Sequence, residues 1–288
     1  MTKQLDLNDY KQGIADLYNR RSQTYDDSEW HLRICQHLLE YSHVSSGQHI
    51  LDIGTGTGHL AIEAARIVGD GGRVIGVDIS SGMLELARCK VEALGLSNVK
   101  FLLADAESLN FSANSFDQIL CANTFLWIED KEATLHIWHL FLKPGGVIGI
   151  HTPADTTYVG YVVLREVFEK YGVLLEASNR IGTLEMCQSL FVDAGFEVIE
   201  IKTEQHGNYI NLEQAKATWE GISRPPLAKY RNLSSKLSSE QLVKAKAEFE
   251  AKLEALQTEQ GVWDELTSWY ILGRKPETET LNSGESAT

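Results

Sequence analysis

The sequence predicts an α/β protein with a doubly wound, mostly parallel sheet, and three observations carry that prediction. Short aliphatic runs alternate with amphipathic stretches between residues 48 and 151. A glycine-rich turn, Gly54-Thr55-Gly56-Thr57-Gly58, joins the first run to the first amphipathic stretch. Aspartates, Asp78 and Asp105, follow the second and third runs. Strands separated by helices form βαβ units, and right-handed crossovers bring the strand C-termini to one edge of the sheet. Ligands of such sheets bind beyond that edge, where the strand order reverses. The residues just after each strand are therefore the ones to read for function.

Each element has its own signal. Residues 8–41 read as one amphipathic helical segment carrying Tyr10, Tyr18, Tyr25 and Trp30, and Ser45-Ser46-Gly47 turns the chain. A buried strand at 48–53 precedes a helix at 59–68, a loop, and a second strand at 73–78. The helix at 80–94 has Met83, Leu84, Leu86, Ala87, Val91 and Leu94 at helical spacing, with Ser80 or Ser81 as N-cap and Gly95 as stop. Strands follow at 99–104 and 116–121, then a helix at 131–142 ended by Pro144 and two glycines, and a strand at 147–151. Beyond lie helices at 158–175 and 183–194, a strand at 196–202, and helices at 211–222 and 238–256 separated by Arg224-Pro225-Pro226. A last short strand spans 269–273, and the Glu-, Thr- and Ser-rich stretch 276–288 reads as a disordered tail.

Composition narrows the function. The 288 residues allow one α/β domain with elaborations. With 26 Lys and Arg against 40 Asp and Glu, the net charge of −14 repels phosphate backbones, so a small molecule rather than nucleic acid is the expected partner. The polar start lacks an apolar signal region and no apolar run is long enough to span a bilayer, so a cytoplasmic protein without membrane insertion is expected. Cys35, Cys89, Cys121 and Cys187 are far apart and form no CxxC pair. They read as small buried apolar residues, and no metal site is expected.

The glycine turn and the two aspartates specify the ligand further. A dinucleotide fingerprint, GxGxxG, would place its third glycine where His59 stands, whereas here the pattern is GxGxG. Asp78, about twenty residues past the loop, suits both hydroxyls of a ribose. Asp105 suits an adenine amino group, with the following backbone amide donating to the ring. Asp52 either orients the loop amides or touches the ligand.

Together Leu51-Asp52-Ile53-Gly54-Thr55-Gly56-Thr57-Gly58, Val74-Ile75-Gly76-Val77-Asp78, Leu103-Ala104-Asp105-Ala106, the run 116–130 and Leu142-Lys143-Pro144-Gly145-Gly146 resemble the class I S-adenosylmethionine-dependent methyltransferases. Tyr18 to Asp26 is similar to the N-terminal element of the ubiquinone and menaquinone C-methyltransferase branch, with Ser22 or Gln23 where that branch has alanine. The resemblance implies a Rossmann-like sheet of seven strands, the last antiparallel, with a helical lid. It implies a lid at 1–46, a core at 47–205 plus 266–275, and a helical insertion at 206–265 over the active site. It implies S-adenosyl-L-methionine as cofactor, with Gly54, Thr55, Gly56 and Gly58 around the methionine moiety and Asp78 on the ribose. Ile79 and Met83 would pack on the adenine, whose edge Asp105 and Ala106 would hold. Cys121 and Asn123 would pass near the sulfonium, and Tyr18 and Tyr25 would cover the cofactor or serve as plain lid packing.

The implied reaction is an in-line displacement at a sulfonium methyl, accelerated chiefly by positioning. An oxygen or carbon nucleophile needs a base; His31 and His151 are candidates, each with a structural role as the alternative. Trp30, Phe125, Trp127, Tyr158 and Trp219 are candidate aromatic walls, which points to a small lipophilic or aromatic acceptor such as a quinone, terpenoid or indole-like compound in specialised metabolism. Competing functions are arsenite methylation, nicotinamide-dependent oxidoreduction, and binding without catalysis.

Overall fold

The computed structural model describes residues 5–27, 29–173, 183–221 and 236–277. The proline break at 224–226 and all but the first two residues of the expected tail lie outside them. The described strands are β1 (His49–Ile53), β2 (Arg73–Asp78), β3 (Val99–Leu103), β4 (Phe116–Ala122), β5 (Leu142–Pro153), β6 (Glu197–Glu204), β7 (Gly207–Ile210), β8 (Val262–Glu265) and β9 (Ser268–Arg274). The described α-helices are α1 (Asp9–Arg21), α2 (Glu29–Tyr41), α3 (His59–Val68), α4 (Ser81–Leu94), α5 (Lys131–Phe141), α6 (Val159–Lys170), α7 (Leu184–Asp193), α8 (Leu212–Gly221) and α9 (Ser239–Ala255).

Seven strands form one sheet in the order β3-β2-β1-β4-β5-β9-β6. β9 runs antiparallel to both neighbours, β5 and β6, while the β1, β2, β3, β4 and β5 pairings are parallel. The order reverses between β1 and β4, so the C-terminal ends of these strands open a crevice on the edge that follows Ile53 and Ala122. Alternation within each strand feeds two faces. Leu51, Ile53, Ile119, Ile148 and Ile150 pack against Leu135, Trp138 and Phe191 of α5 and α7. Ile50, Val74, Leu120 and Tyr270 pack against Leu38, Leu60, Ala61 and Ala64 of α2 and α3. A separate cluster joins α6, α8 and α9 through Val163, Phe168, Ala215, Phe249 and Leu253. α9 opens with a capping box in which Ser238 and Gln241 satisfy each other's backbone amides.

The expected single helix over 8–41 is two helices separated by a 3₁₀ segment, Ser22–Asp27. Ser22 Oγ donates to the Asn19 carbonyl, the local side-chain bonding that competes with helix continuation. β5 starts at Leu142, not Val147, because Leu142 pairs with Phe116 before a register shift carries the chain past Pro144 and Gly145. The stretch 206–265, expected as helical, also contains the β7–β8 ribbon. Strands of four residues so far apart in sequence leave no local hairpin signature.

Candidate active site

The glycine turn after β1 is shaped by what surrounds it. Gly54 has φ +67° and lies so close to Thr124 that a Cβ there would overlap the threonine side chain. Gly56 has φ +56°, and the Tyr25 ring covers it, with Cε1 3.8 Å from where a Cβ would stand. Beneath the turn, Asp52 is 1% exposed and accepts a 2.6 Å hydrogen bond from Thr55 Oγ1. Burial pushes its carboxyl up to about 7. Asp52 and Thr55 therefore brace the loop from inside. Gly58 is the N-cap of α3, and a Cβ there would meet Ala87 and Phe101 rather than the crevice.

Asp78 closes β2 opposite this loop. One carboxylate oxygen accepts from the Gly56 amide at 2.9 Å, the other from the Ser80 amide at 2.8 Å. Burial raises its pKa, and these backbone donors oppose the rise. Ser80 Oγ in turn caps α4 at the Met83 amide. The aspartate thus ties the glycine turn to the start of α4 and leaves acceptor capacity for a ligand, since a carboxylate has about four lone-pair sites.

These elements enclose a cleft of about 680 Å³, counting the part open to solvent. Gly54 and Gly56 form its floor, Asp78, Ile79 and Met83 one wall, Asp105 and Ala106 one end, and Asn123 the β4 side. Tyr18 of α1 and Tyr25 of the 3₁₀ segment also line it. Cys121 is fully buried in the core with its side chain among Ile119 and Phe125, not in the cleft. Alternation explains this, because Cys121 points to the α5 face while the crevice opens only after the strand ends.

Several connections hold α1 and the 3₁₀ segment against the core. Lys11 Nζ lies 2.6 Å from Asp105 Oδ2 and 2.8 Å from Glu107 Oε2. Burial alone would lower the Lys11 pKa, but the two carboxylates win and raise it. Asp26 accepts from Thr57 Oγ1 at 2.5 Å, lies 2.8 Å from His59 Nε2 and pairs with Lys90 Nζ at 2.5 Å. Trp127 Nε1 donates to the Tyr18 hydroxyl at 3.1 Å, and the two rings meet edge-on. The Arg21 guanidinium lies 5.4 Å from the Tyr18 ring centre and 5.8 Å from that of Tyr25.

His31 stacks on Tyr25 at 4.1 Å, and burial lowers its pKa to about 4. His151 is 1% exposed, its ring 4.9 Å from that of Tyr270, and burial lowers its pKa to about 3. Of the candidate aromatic walls, Trp127 lines the cleft. Phe125 is core, and Trp219 packs on Phe168 and Phe249. Trp30 meets His206 edge-on, and Tyr158 holds an uncommon φ of +64° before α6. Sequence reasoning missed Lys11, Ile14, Glu107, Thr124 and Ile128 as lining residues. The rule of reading just past each strand would have found Glu107, Thr124 and Ile128. Nothing local marks Lys11, which meets a carboxylate 94 residues away.

The donor set fits an adenosyl sulfonium. Buried Asp78 would suit a diol, apolar Ile79 and Met83 would suit a flat ring, and the open side of Gly56 would leave room for the amino-acid portion under aromatic faces that favour a cation. Among the described residues no three His, Cys, Asp or Glu side chains gather to hold a metal ion, and Cys121 and Cys187 are both buried in the core. Among the same residues no helix is long and apolar enough to cross a membrane.

Fold and cleft together define an S-adenosylmethionine-binding transferase. Residues 44–205 match the model of a family described as a methyltransferase domain, and the chain belongs to that family. It is 33% identical over 179 residues, covering 56% of this chain and 71% of the relative, to the ubiquinone/menaquinone biosynthesis C-methyltransferase UbiE of Klebsiella pneumoniae. It is 33% identical over 146 residues to the aklanonic acid methyltransferase DauC of a Streptomyces species, covering 50% of this chain and 66% of that protein. The solved structure of a protein from Bacillus halodurans shares the fold at a TM-score of 0.58 and 18% identity, covering 84% of this chain and 98% of that one. The chain is an S-adenosylmethionine-dependent methyltransferase.

Proposed function

We propose that this methyltransferase acts on a small lipophilic or aromatic metabolite, of the kind found in specialised metabolism. The observation that carries the reading is the aromatic cover of the cleft, where Tyr18, Tyr25 and Trp127 face the glycine turn. Aromatic faces favour flat, weakly hydrated acceptors and exclude water from the reacting centre. Relatives named for quinones and for aklanonic acid support the same direction. The net charge of −14 disfavours a nucleic-acid acceptor.

In this reading residues 1–46 act as the lid, 47–205 with 266–275 as the core, and 206–265 as the insertion over the active site. The cofactor supplies an electrophilic methyl group. Gly54, Gly56, Asp78, Ile79, Met83, Asp105, Ala106 and Asn123 hold and orient it. Asp52, Thr55 and Gly58 act indirectly by fixing the loop, and Cys121 acts as core. Tyr18 and Tyr25 close the site against water. The test is incubation with a radiolabelled methyl donor and fractionated metabolite extract. Label passing into the organic phase supports the reading; label confined to nucleic acid or protein overturns it.

A further inference from the structure

The α2-facing side of the sheet carries a group of polar atoms that the cofactor cleft does not use. Both ring nitrogens of His151, the hydroxyl of Ser268 and Nδ1 of His31 are buried with no hydrogen-bond partner. His151 lies opposite Tyr270, and Ser268 opposite Pro153, across the β5–β9 pair. Residues 151, 153, 268 and 270 therefore share one face, the face on which Gly149 meets Leu38 of α2 and Ser42 just after it. Buried polar atoms are ordinarily satisfied, and a group of unpartnered ones in one place asks for a ligand or a role.

Its position is next to the cleft. Asn123, which lines the cleft, donates its backbone amide to the His151 carbonyl at 3.3 Å. His31 stacks on Tyr25, the ring that covers Gly56. We infer that this face is the acceptor's polar subsite, in which His151, Ser268 and His31 receive a hydroxyl or enol oxygen and His151 takes its proton. The inference rests on the proposed small-molecule acceptor and goes further, to the group that the enzyme recognises.

The chemistry of the atoms selects the ligand. Burial keeps both imidazoles neutral at physiological pH. A neutral imidazole offers one donor and one acceptor, and a serine hydroxyl offers both. That set matches a hydroxyl, which donates once and accepts elsewhere, and would leave a carboxylate facing lone pairs. The groups facing His151 electrostatically are His31, His37 and Glu204. Glu204 collects the Tyr41 hydroxyl at 2.7 Å, His37 Nδ1 at 2.6 Å and His206 Nε2 at 3.0 Å, and its negative charge favours a cation on His151. During transfer the acceptor's electron pair forms the bond to the methyl carbon, and the carbon–sulfur pair stays on sulfur. The acceptor's proton passes to an imidazole nitrogen of His151, so the charge lost at the sulfonium reappears as imidazolium beside Glu204.

Binding of β-naphthol and its methyl ether, measured calorimetrically with S-adenosylhomocysteine saturating, tests the inference. A second pair is cyclohexanedione, which enolises, and its enol methyl ether. The wild type should prefer the free hydroxyl of at least one pair by about tenfold or more. In His151→Leu that preference should fall below about twofold, with S-adenosylhomocysteine affinity unchanged, because the site that reads the hydroxyl is gone. Ser268→Ala gives the same measurement should His151→Leu fold poorly. Equal binding within both pairs, no binding by any probe, or a preference that survives both variants overturns the subsite. A preference within the cyclohexanedione pair with neither naphthalene bound keeps the subsite and overturns the lipophilic acceptor; equal tight binding of both naphthalenes with no preference within the cyclohexanedione pair does the reverse.

Discussion

Asp78→Ala separates the two jobs of one carboxylate. Within the protein, the Gly56 and Ser80 amides each lose an acceptor. An unsatisfied buried donor costs about 1–3 kcal/mol, and Gly56 borders the cleft, where water compensates in part, so roughly 2–4 kcal/mol of stability should go. That corresponds to a melting point lower by roughly 5–15 °C for a domain of this size. Toward the ligand, two charge-assisted bonds to ribose hydroxyls disappear, each about 1.5–3 kcal/mol before water competes. A net loss of about 3–4 kcal/mol weakens S-adenosylhomocysteine roughly 100- to 1000-fold. Asp78→Asn keeps one oxygen acceptor and should lose about half as much stability while still binding poorly. Titration calorimetry and thermal melts on both variants give the two numbers. An affinity for Asp78→Ala within about threefold of wild type, in folded protein, would refute the ribose assignment, since no remaining group replaces a carboxylate there.

Gly56→Val should fold and fail to bind S-adenosylhomocysteine, because a branched side chain at φ +56° is strained and enters the space under Tyr25; retained binding in a folded variant would move the ligand elsewhere. Lys11→Met removes the cation between Asp105 and Glu107 and should speed cofactor exchange several-fold in stopped-flow measurements, while an unchanged exchange rate would show that α1 does not gate the cleft. Asp52 has its folded pKa raised to about 7, so the folded state holds the extra proton and stability falls as pH rises from about 4 through 7. Asp52→Asn should flatten that decline in urea melts at pH 5 and pH 8, and equal pH slopes for the two proteins would count against it. Hydrogen exchange should slow in α1, α2 and the 3₁₀ segment between them when S-adenosylhomocysteine binds; protection restricted to the glycine turn would make those helices plain scaffold.

The family of this protein was legible because its signals are local. The glycines of the turn, the aspartate that ends β2 and the Ser80 and Gly95 caps of α4 are set by backbone geometry within a few residues, and each appears where the spacing requires it. Helix α3 and strand β2 begin and end at the residues their periodicity marks, since hydrophobic alternation is a property of the chain itself. The side on which a residue finally points was not legible in the same way. Cys121 carried the right position along β4 and the wrong face, Thr55 turns inward to Asp52, and of the two roles open to Asp52 its hydrogen bond favours bracing the loop. Only the tertiary structure brings Lys11 to Asp105, Asp26 to His59 and Lys90, and the unpartnered nitrogens of His151 to the side of the cleft. These pairings join parts of the chain that no periodicity relates. They form when α1 and α2 pack against the rest of the protein, which depends on the packing of the whole domain.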